Sequence, residues 1–280
     1  MNVFIAKKYQ NLDNQEGKFF DGNKYKICKE DIDIYNEDNQ LLCKFRKHVL
    51  NRDEINKLLG LKSAAKIGYT RPNASGYESK DNKYKWIISK SSGKKLHVLT
   101  SKSTSGIIGF YDSVSNFGYS TSQDDKKCRM TAFTSKNIHE YHDCLKIFKK
   151  INSIFKKLVP TFFKNQWLAS TKINQEYIIP GTVFTTVTVN KNFRTALHRD
   201  SGDFKDGFGI MDVASDDDSY HGCYTLFPEY KIGIDCRSGD LLAFDVHQLH
   251  CNSEMFGGDQ STRLSFIFYL REKMMINCPK

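Results

Sequence analysis

Long apolar runs are missing from this 280-residue chain: no stretch approaches the roughly 18 residues that cross a bilayer as a helix. The first residues, Met-Asn-Val-Phe-Ile-Ala-Lys-Lys, carry no extended apolar segment, so export by a signal peptide is not expected. Cys-x-x-Cys pairs are missing too. The eight cysteines are scattered at 28, 43, 128, 144, 223, 236, 251 and 278, which points away from a zinc ribbon and from a disulfide framework. Reduced thiols in an intracellular chain, nuclear or cytoplasmic, are the expectation. Disorder is excluded by a composition that is 39% apolar and 13% aromatic.

What is present is positive charge, unevenly placed. The net charge is +10. Residues 1–160 hold 30 Lys and Arg against 17 Asp and Glu, a net of +13, whereas residues 161–280 hold 12 against 15, a net of −3. A basic half joined to a slightly acidic half suggests that the first meets a polyanion while the second does other work. Solvated lysine faces such as Lys7-Lys8 and Lys94-Lys95 account for part of the excess. The Lys- and Asn-rich composition suits an AT-rich genome, viral or protist.

Residues 1–40 give no firm pattern. Apolar residues at Leu42, Phe45, Val49, Leu50, Ile55, Leu58 and Leu59 predict a helix over Leu41–Leu61, stopped near Gly60. Residues 62–83 are polar and rich in turn formers, which predicts a loop. Tyr69, Arg71, Tyr77 and Tyr84 fall in or beside it, the aromatic and basic mixture that a nucleic-acid-facing loop uses, although a lysine-rich loop contains it equally by chance and that plainer reading is preferred. Trp86–Ile88 and Leu96–Leu99 read as a hairpin around Ser91–Lys94, and Gly106–Tyr111 as a further strand. Asn137 and Glu140 have capping-box spacing at the head of an amphipathic helix that stops at Pro160. Beyond it, Tyr177–Pro180, Val183–Val189, Leu226–Phe227, Ile232–Asp235, Leu241–Val246 and Leu264–Leu270 are strand-like and separated by turns. Short strands at that spacing predict an antiparallel sandwich or jelly roll. The class is therefore α+β, with a basic region over 1–125 and a core over 126–280, packed as one compact unit.

Chemistry concentrates in Phe193–Asp203. A strand continuing from Thr182–Val189 through His198 and Asp200 would aim both side chains at one point, because residues i and i+2 share a face. One imidazole and one carboxylate are two-thirds of the 2-His-1-carboxylate triad that holds non-haem Fe(II). Alone, His-x-Asp is more often a surface histidine beside a solvated acid. Gly239–His250 supplies a third ligand from a strand near the C-terminal end: His250, favoured because it lies at the strand's end, or His247. Arg263 and Ser265 then share a face of the last strand. A guanidinium fork with a hydroxyl beside it is a seat for the distal carboxylate of 2-oxoglutarate.

With these residues assembled, the chain resembles the TET/JBP family of Fe(II)/2-oxoglutarate DNA-base oxygenases, and within it the thymine hydroxylases of the base J-binding branch. The likeness is carried by Cys128–Thr134, Thr182–Asn190, Arg194–Gly209, Gly222–Tyr230 and Gly239–Asn252. It implies a double-stranded β-helix, jelly-roll-like core braced by helices. It also implies iron ligation by His198, Asp200 and His250, and 2-oxoglutarate on Arg263 and Ser265. The implied reaction hydroxylates the C5-methyl of a pyrimidine flipped out of duplex DNA, consuming O₂ and 2-oxoglutarate, with ascorbate a suitable reductant in vitro. Arg129, Asn190, Asn192, Arg194 and Asp203 are the candidates to hold the flipped base. Thymine is the expected target, 5-methylcytosine the alternative. An RNA base, a protein side chain, or an inactive jelly-roll binding module are the rival readings. The chain has no room for a J-binding insertion or helicase extension and lacks a cysteine-rich zinc region, so a minimal catalytic unit that finds its target without a dedicated reader domain is expected, and no dedicated protein partner is inferred.

Overall fold

The computed structural model describes residues 2–70, 73–88, 93–112, 128–257 and 261–280. Seventeen strands are found among them. The N-terminal ones are β1 (Asn2–Ala6), β2 (Lys26–Cys28), β3 (Ile32–Asn36) and β4 (Leu41–Arg46). Next come β5 (Lys66–Thr70), β6 (Lys83–Ile88), β7 (Lys95–Asp112) and β8 (Cys128–Met130). The C-terminal half holds β9 (Thr186–Lys191), β10 (Gly209–Ser215), β11 (His221–Gly222), β12 (Thr225–Phe227) and β13 (Ile232–Ile234). It ends with β14 (Leu241–Phe244), β15 (Cys251–Asn252), β16 (Met255–Phe256) and β17 (Arg263–Tyr269). The helices are α1 (Arg52–Leu59), α2 (Ala132–Lys136), α3 (Ile138–Leu158), α4 (Pro160–Ser170) and α5 (Met274–Asn277).

A large sheet runs β1-β3-β4-β14-β10-β17-β9-β7-β5, with β6 and β8 also paired to β7. A smaller sheet runs β15-β12-β13-β2. Alternation along the strands divides their side chains between two cores. On β17, Leu264, Phe266 and Phe268 face the helices, as do Val187 and Val189 of β9. Against them α3 lays the stripe Tyr141, Phe148, Ile151 and Phe155 at helical spacing. Each such apolar side chain, fully buried, contributes roughly 1.5–3 kcal/mol of transfer free energy. On the other side, Met211, Val213, Leu242 and Phe244 of the large sheet pack on Ile232 and Ile234 of the small one. Helices thus cover one face of the large sheet, and the small sheet covers part of the other.

The strand β7 is the longest element, and its partners change along it. It pairs with β6 over Lys95–Thr100, β5 over Ser101–Ser105, β9 over Ser105–Gly109 and β8 over Phe110–Asp112.

Several sequence expectations change. Leu41–Arg46 is strand rather than helix, because β4 is hydrogen-bonded between β3 and β14 and buries Leu42, Cys43 and Phe45. The helix starts only after Asn51, which makes a true capping box with Glu54. The expected capping box at Asn137 does not form: its side-chain amide donates to Phe133 O of the preceding turn. Part of the expected loop 62–83 is β5, and Tyr177 ends a single 3-10 turn instead of opening a strand. Ser91 and Ser92 of the expected hairpin turn, and Arg71 of the expected loop, lie outside the described residues. Cys128 and Cys278, expected as free thiols, form a disulfide with Cα atoms 5.8 Å apart. A sequence separation of 150 residues hid the pairing from spacing arguments. No helix among the described residues is long and apolar enough to cross a membrane.

Candidate metal centre and substrate cavity

The strand β9 ends at Lys191, seven residues before His198, so the strand does not run through the His-x-Asp motif. Asn192 turns the chain away with φ 44°. His198 and His250 are brought together by a separate bridge, in which each backbone N–H donates to the other's carbonyl, at 3.0 and 3.1 Å. Asp200 is held by its N–H donating to Val246 O. The N-terminal segment seals the outer side of this turn: Gly17 N–H donates to Leu197 O, and Leu197 N–H to Lys18 O, both at 2.8 Å. A side chain at Gly17 would collide with the Tyr77 ring, and its φ of +84° suits glycine.

His198 Nε2 lies 3.5 Å from Asp200 Oδ1, and His250 Nε2 lies 3.7 Å from Asp200 Oδ2. One donor atom from each of the three residues falls within 4.8 Å of the others. In each ring Nδ1 sits beside a backbone carbonyl, Ala196 O at 2.8 Å for His198 and Gln248 O at 2.9 Å for His250. Donation from Nδ1–H to those carbonyls fixes the tautomer that leaves the Nε2 lone pairs turned to the centre. Burial, with His198 beside it, pushes the His250 imidazole down from 6.5 to about 4. It is therefore neutral and ready to donate at neutral pH. Two imidazoles and a carboxylate converging at this distance fit a divalent iron with open positions. His247 is not in the cluster: it faces Asp245 at 3.3 Å and has its carbonyl bonded by Arg199 Nε.

The three residues open into a cavity of about 320 Å³. Its walls include Ser103, Thr188, Asn190, Asp203, Asn252 and Ser265. These come from the inward faces of β7, β9 and β17 and from the loops beside them. Arg263 lies one step further along the face of β17 that carries Ser265. It is 3% exposed and is not part of the wall, and its Nε and Nη2 have no hydrogen-bond partner among the described residues. A buried guanidinium with unfilled donors is costly unless an anion completes it. That is the expectation for a dicarboxylate's far end, so the residues fit 2-oxoglutarate as well as iron.

The candidates for base contact separate. Asn190 and Asp203 line the cavity. Asp203 is buried, with one carboxylate oxygen unpartnered among the described residues, and burial together with Asp200 nearby raises its pKa well above the usual range. Arg194 stands in the adjoining groove, paired with Asp21 and Glu254 and stacked over Phe19. Asn192 spends its amide on the chain, accepting from Arg263 N–H and donating to Ser261 O. Arg129 is on β8, stacked over Tyr111 and outside the cavity. Sequence reasoning missed the hydroxyl walls, Ser103, Ser105, Thr188, Thr195 and Thr225. Alternation in Thr186-Val-Thr-Val-Asn190 was the available signal, since its polar members face inward.

A family model described as the oxygenase domain of the 2OGFeDO superfamily, Tet/JBP, matches residues 113–272, more than half of the chain. The chain belongs to the Tet/JBP family. Among curated proteins it is 34% identical over 171 residues to the bifunctional helicase and thymine dioxygenase JBP2 of Leishmania braziliensis, covering 61% of this chain and 15% of that protein. Identity is 36% over 172 residues to JBP2 of Trypanosoma brucei brucei, with 61% and 15% covered. It is 32% over 170 residues to the thymine dioxygenase JBP1 of Trypanosoma brucei brucei, with 60% and 19% covered. The chain thus spans less than a fifth of these relatives' length. In structure it is similar to NgTET1, solved in complex with 5mC DNA, at a TM-score of 0.60 and 13% identity, covering 98% of this chain and 84% of that one. The two facing sheets are accordingly a double-stranded β-helix, as in other members of the superfamily.

Proposed function

We propose that this chain is an Fe(II)- and 2-oxoglutarate-dependent dioxygenase that hydroxylates the C5-methyl of thymine in DNA, giving 5-hydroxymethyluracil. The observation that carries the reading is the convergence of His198, Asp200 and His250 on a cavity lined by Ser265, with Arg263 two residues before it on the same strand and two guanidinium nitrogens unpartnered among the described residues. His198, Asp200 and His250 would hold the metal, and Arg263 with Ser265 the distal carboxylate of 2-oxoglutarate. Bound there, iron with O₂ and 2-oxoglutarate supplies the oxidation, releasing succinate and CO₂, and ascorbate keeps the metal reduced in vitro.

The chain's own residues orient and enclose. The Nδ1–carbonyl contacts hold both imidazoles in the metal-binding tautomer. Asn190 and Asp203 line the cavity and would meet the polar edge of a flipped base, and Arg194 lines the adjoining groove. Thymine is preferred over 5-methylcytosine because the curated relatives that match over this region are named thymine dioxygenases.

Nucleoside mass spectrometry of duplex DNA after incubation with protein, Fe(II), 2-oxoglutarate and ascorbate tests this, with His198→Ala as control. Appearance of 5-hydroxymethyluracil with the wild type alone is expected. 5-Hydroxymethylcytosine instead would transfer the chemistry to the other base. Succinate release without either product would move it to a substrate outside DNA.

A further inference from the structure

Outside the cavity, the described surface carries one dense array of exposed aromatic rings and lysines, on the ribbon formed by β5, β6 and the first half of β7. Tyr84 and Trp86 are 65% and 61% exposed, and their rings flank that of His97 at 5.0 and 4.7 Å. Lys95 lies over Trp86. On the other face Lys83 and Lys85 stand over Tyr69, at 3.5 and 3.9 Å from its ring centre. Described residues of the ribbon and its loop, 66–105, hold seven lysines against two acids, Glu78 and Asp81. No core needs these rings in the open, and large exposed aromatics on a monomer mark a contact surface.

The place of the ribbon says what it contacts. The strand β7 carries both the ribbon and the cavity wall: Ser103 and Ser105 line the cavity, while Lys95–Thr100 pair with β6. Between them Lys102, with Lys80 and Arg194, lines the groove that adjoins the cavity mouth. From Ser103 to Lys95 the strand rises about 26 Å at roughly 3.3 Å per residue. That equals about eight base pairs of duplex at roughly 3.4 Å each. By contrast, the exposed lysines of α3 lie on the helical side of the sheet, away from the cavity.

We propose that the β5–β6–β7 ribbon is a DNA-binding arm that enters a groove of the duplex alongside the nucleotide presented to the cavity, so that both of its faces meet the DNA, lysines on the flanking phosphates and Tyr84 and Trp86 against sugars or bases. This rests on the reading of the cavity as a site for a base from DNA. Lysines in such an array bind by displacing counterions, so affinity carries a salt dependence set by their number.

The test measures binding of a fluorescein-labelled duplex to the full chain by anisotropy over a salt series. Four proteins are compared: wild type, Lys83→Gln/Lys85→Gln/Lys95→Gln, Tyr84→Ala/Trp86→Ala, and a charge-matched control, Lys146→Gln/Lys156→Gln/Lys157→Gln on α3. Circular dichroism verifies folding, and succinate release without DNA reports on the metal site independently. The lysine variant is expected to lower the salt slope by about 3, and the aromatic variant to weaken binding about ten-fold. The α3 control should bind as the wild type, and uncoupled succinate release should be unchanged in all four. Equal weakening by ribbon and α3 variants, or unaltered binding by both ribbon variants, would overturn the assignment. So would a wild type that binds RNA or protein but not duplex DNA. Because binding is read without product formation, the arm and the thymine reading fail separately.

Discussion

His198 and His250 are joined twice, by a reciprocal pair of backbone hydrogen bonds and by rings whose centres stand 4.4 Å apart. The backbone pairing places the side chains, and His198 adds to the burial that holds the His250 imidazole low.

That closeness gives a pH prediction. The His250 pKa is lowered from 6.5 to about 4, so the unfolded chain binds more protons than the native one between those values. Stability of the metal-free protein should fall as pH drops from about 6.5 towards 4. Urea denaturation of wild type and His250→Ala across this range measures it, and the difference between them should shrink towards pH 4. Removal of His250 or Asp200 should lower turnover by at least ~100-fold and abolish Mn(II) binding in calorimetry.

Arg263 predicts a split between binding and turnover. Losing charge-assisted hydrogen bonds costs about 1.5–3 kcal/mol, or roughly 10- to 100-fold. Arg263→Lys should raise KM for 2-oxoglutarate by about that factor, because an ammonium cannot present the fork. KM for DNA should stay unchanged in the same assay.

Arg199 sits between two proposed ligands in sequence yet points outward, tying three segments together. Nε donates to His247 O at 3.0 Å, Nη1 to Glu16 at 2.8 Å and Nη2 to Asp13 at 2.5 Å. As a positioning residue it should affect metal affinity before fold. Arg199→Ala should weaken Mn(II) binding about ten-fold with little change in melting temperature, and Arg199→Lys should restore part of it.

Asp212 lies on the helix-facing side of β10, between Ile210 and Ala214, with 0% exposure. Neither carboxylate oxygen makes a well-formed hydrogen bond among the described residues, and the nearby Val213 N–H offsets the burial only in part. Burial raises its pKa well above 3.8, so the native state holds a proton that the unfolded chain releases. This group therefore lowers stability as pH rises above about 3.8. Asp212→Asn should stabilise the protein by roughly 1–3 kcal/mol at neutral pH and flatten that slope, read by denaturant melts at two pH values.

The chemistry of the site was legible because ligand types are short, local signals: His198 and Asp200 two apart, a histidine at a strand's end, Arg263 before Ser265. The path of the backbone was less so. A strand through His198 was the natural reading of a β-branched run, but Asn192 turns the chain and a distant bridge to His250 replaces the ladder. The strand Gly209–Ser215 was overlooked because Asp212 interrupts its apolar pattern, although all seven residues are buried. Leu41–Arg46 read as helix because its apolar spacing suits either structure, and pairing on both edges decided it. The bridge to His250 and the pairing of β4 on both edges join residues far apart in sequence, so no local pattern could carry them.

The backbone seal over the His198 turn bears on where this protein can be cut. Gly17 and Lys18 bond Leu197, Glu16 and Asp13 hold Arg199, and Ala74 O accepts from Ala196 N–H. All five contributors lie before residue 113, where the family match begins. Expressing only the matching segment would strip the outer edge from the turn that bears two of the three proposed metal ligands. The segment drawn by similarity is shorter than the stretch of chain that holds this turn in place.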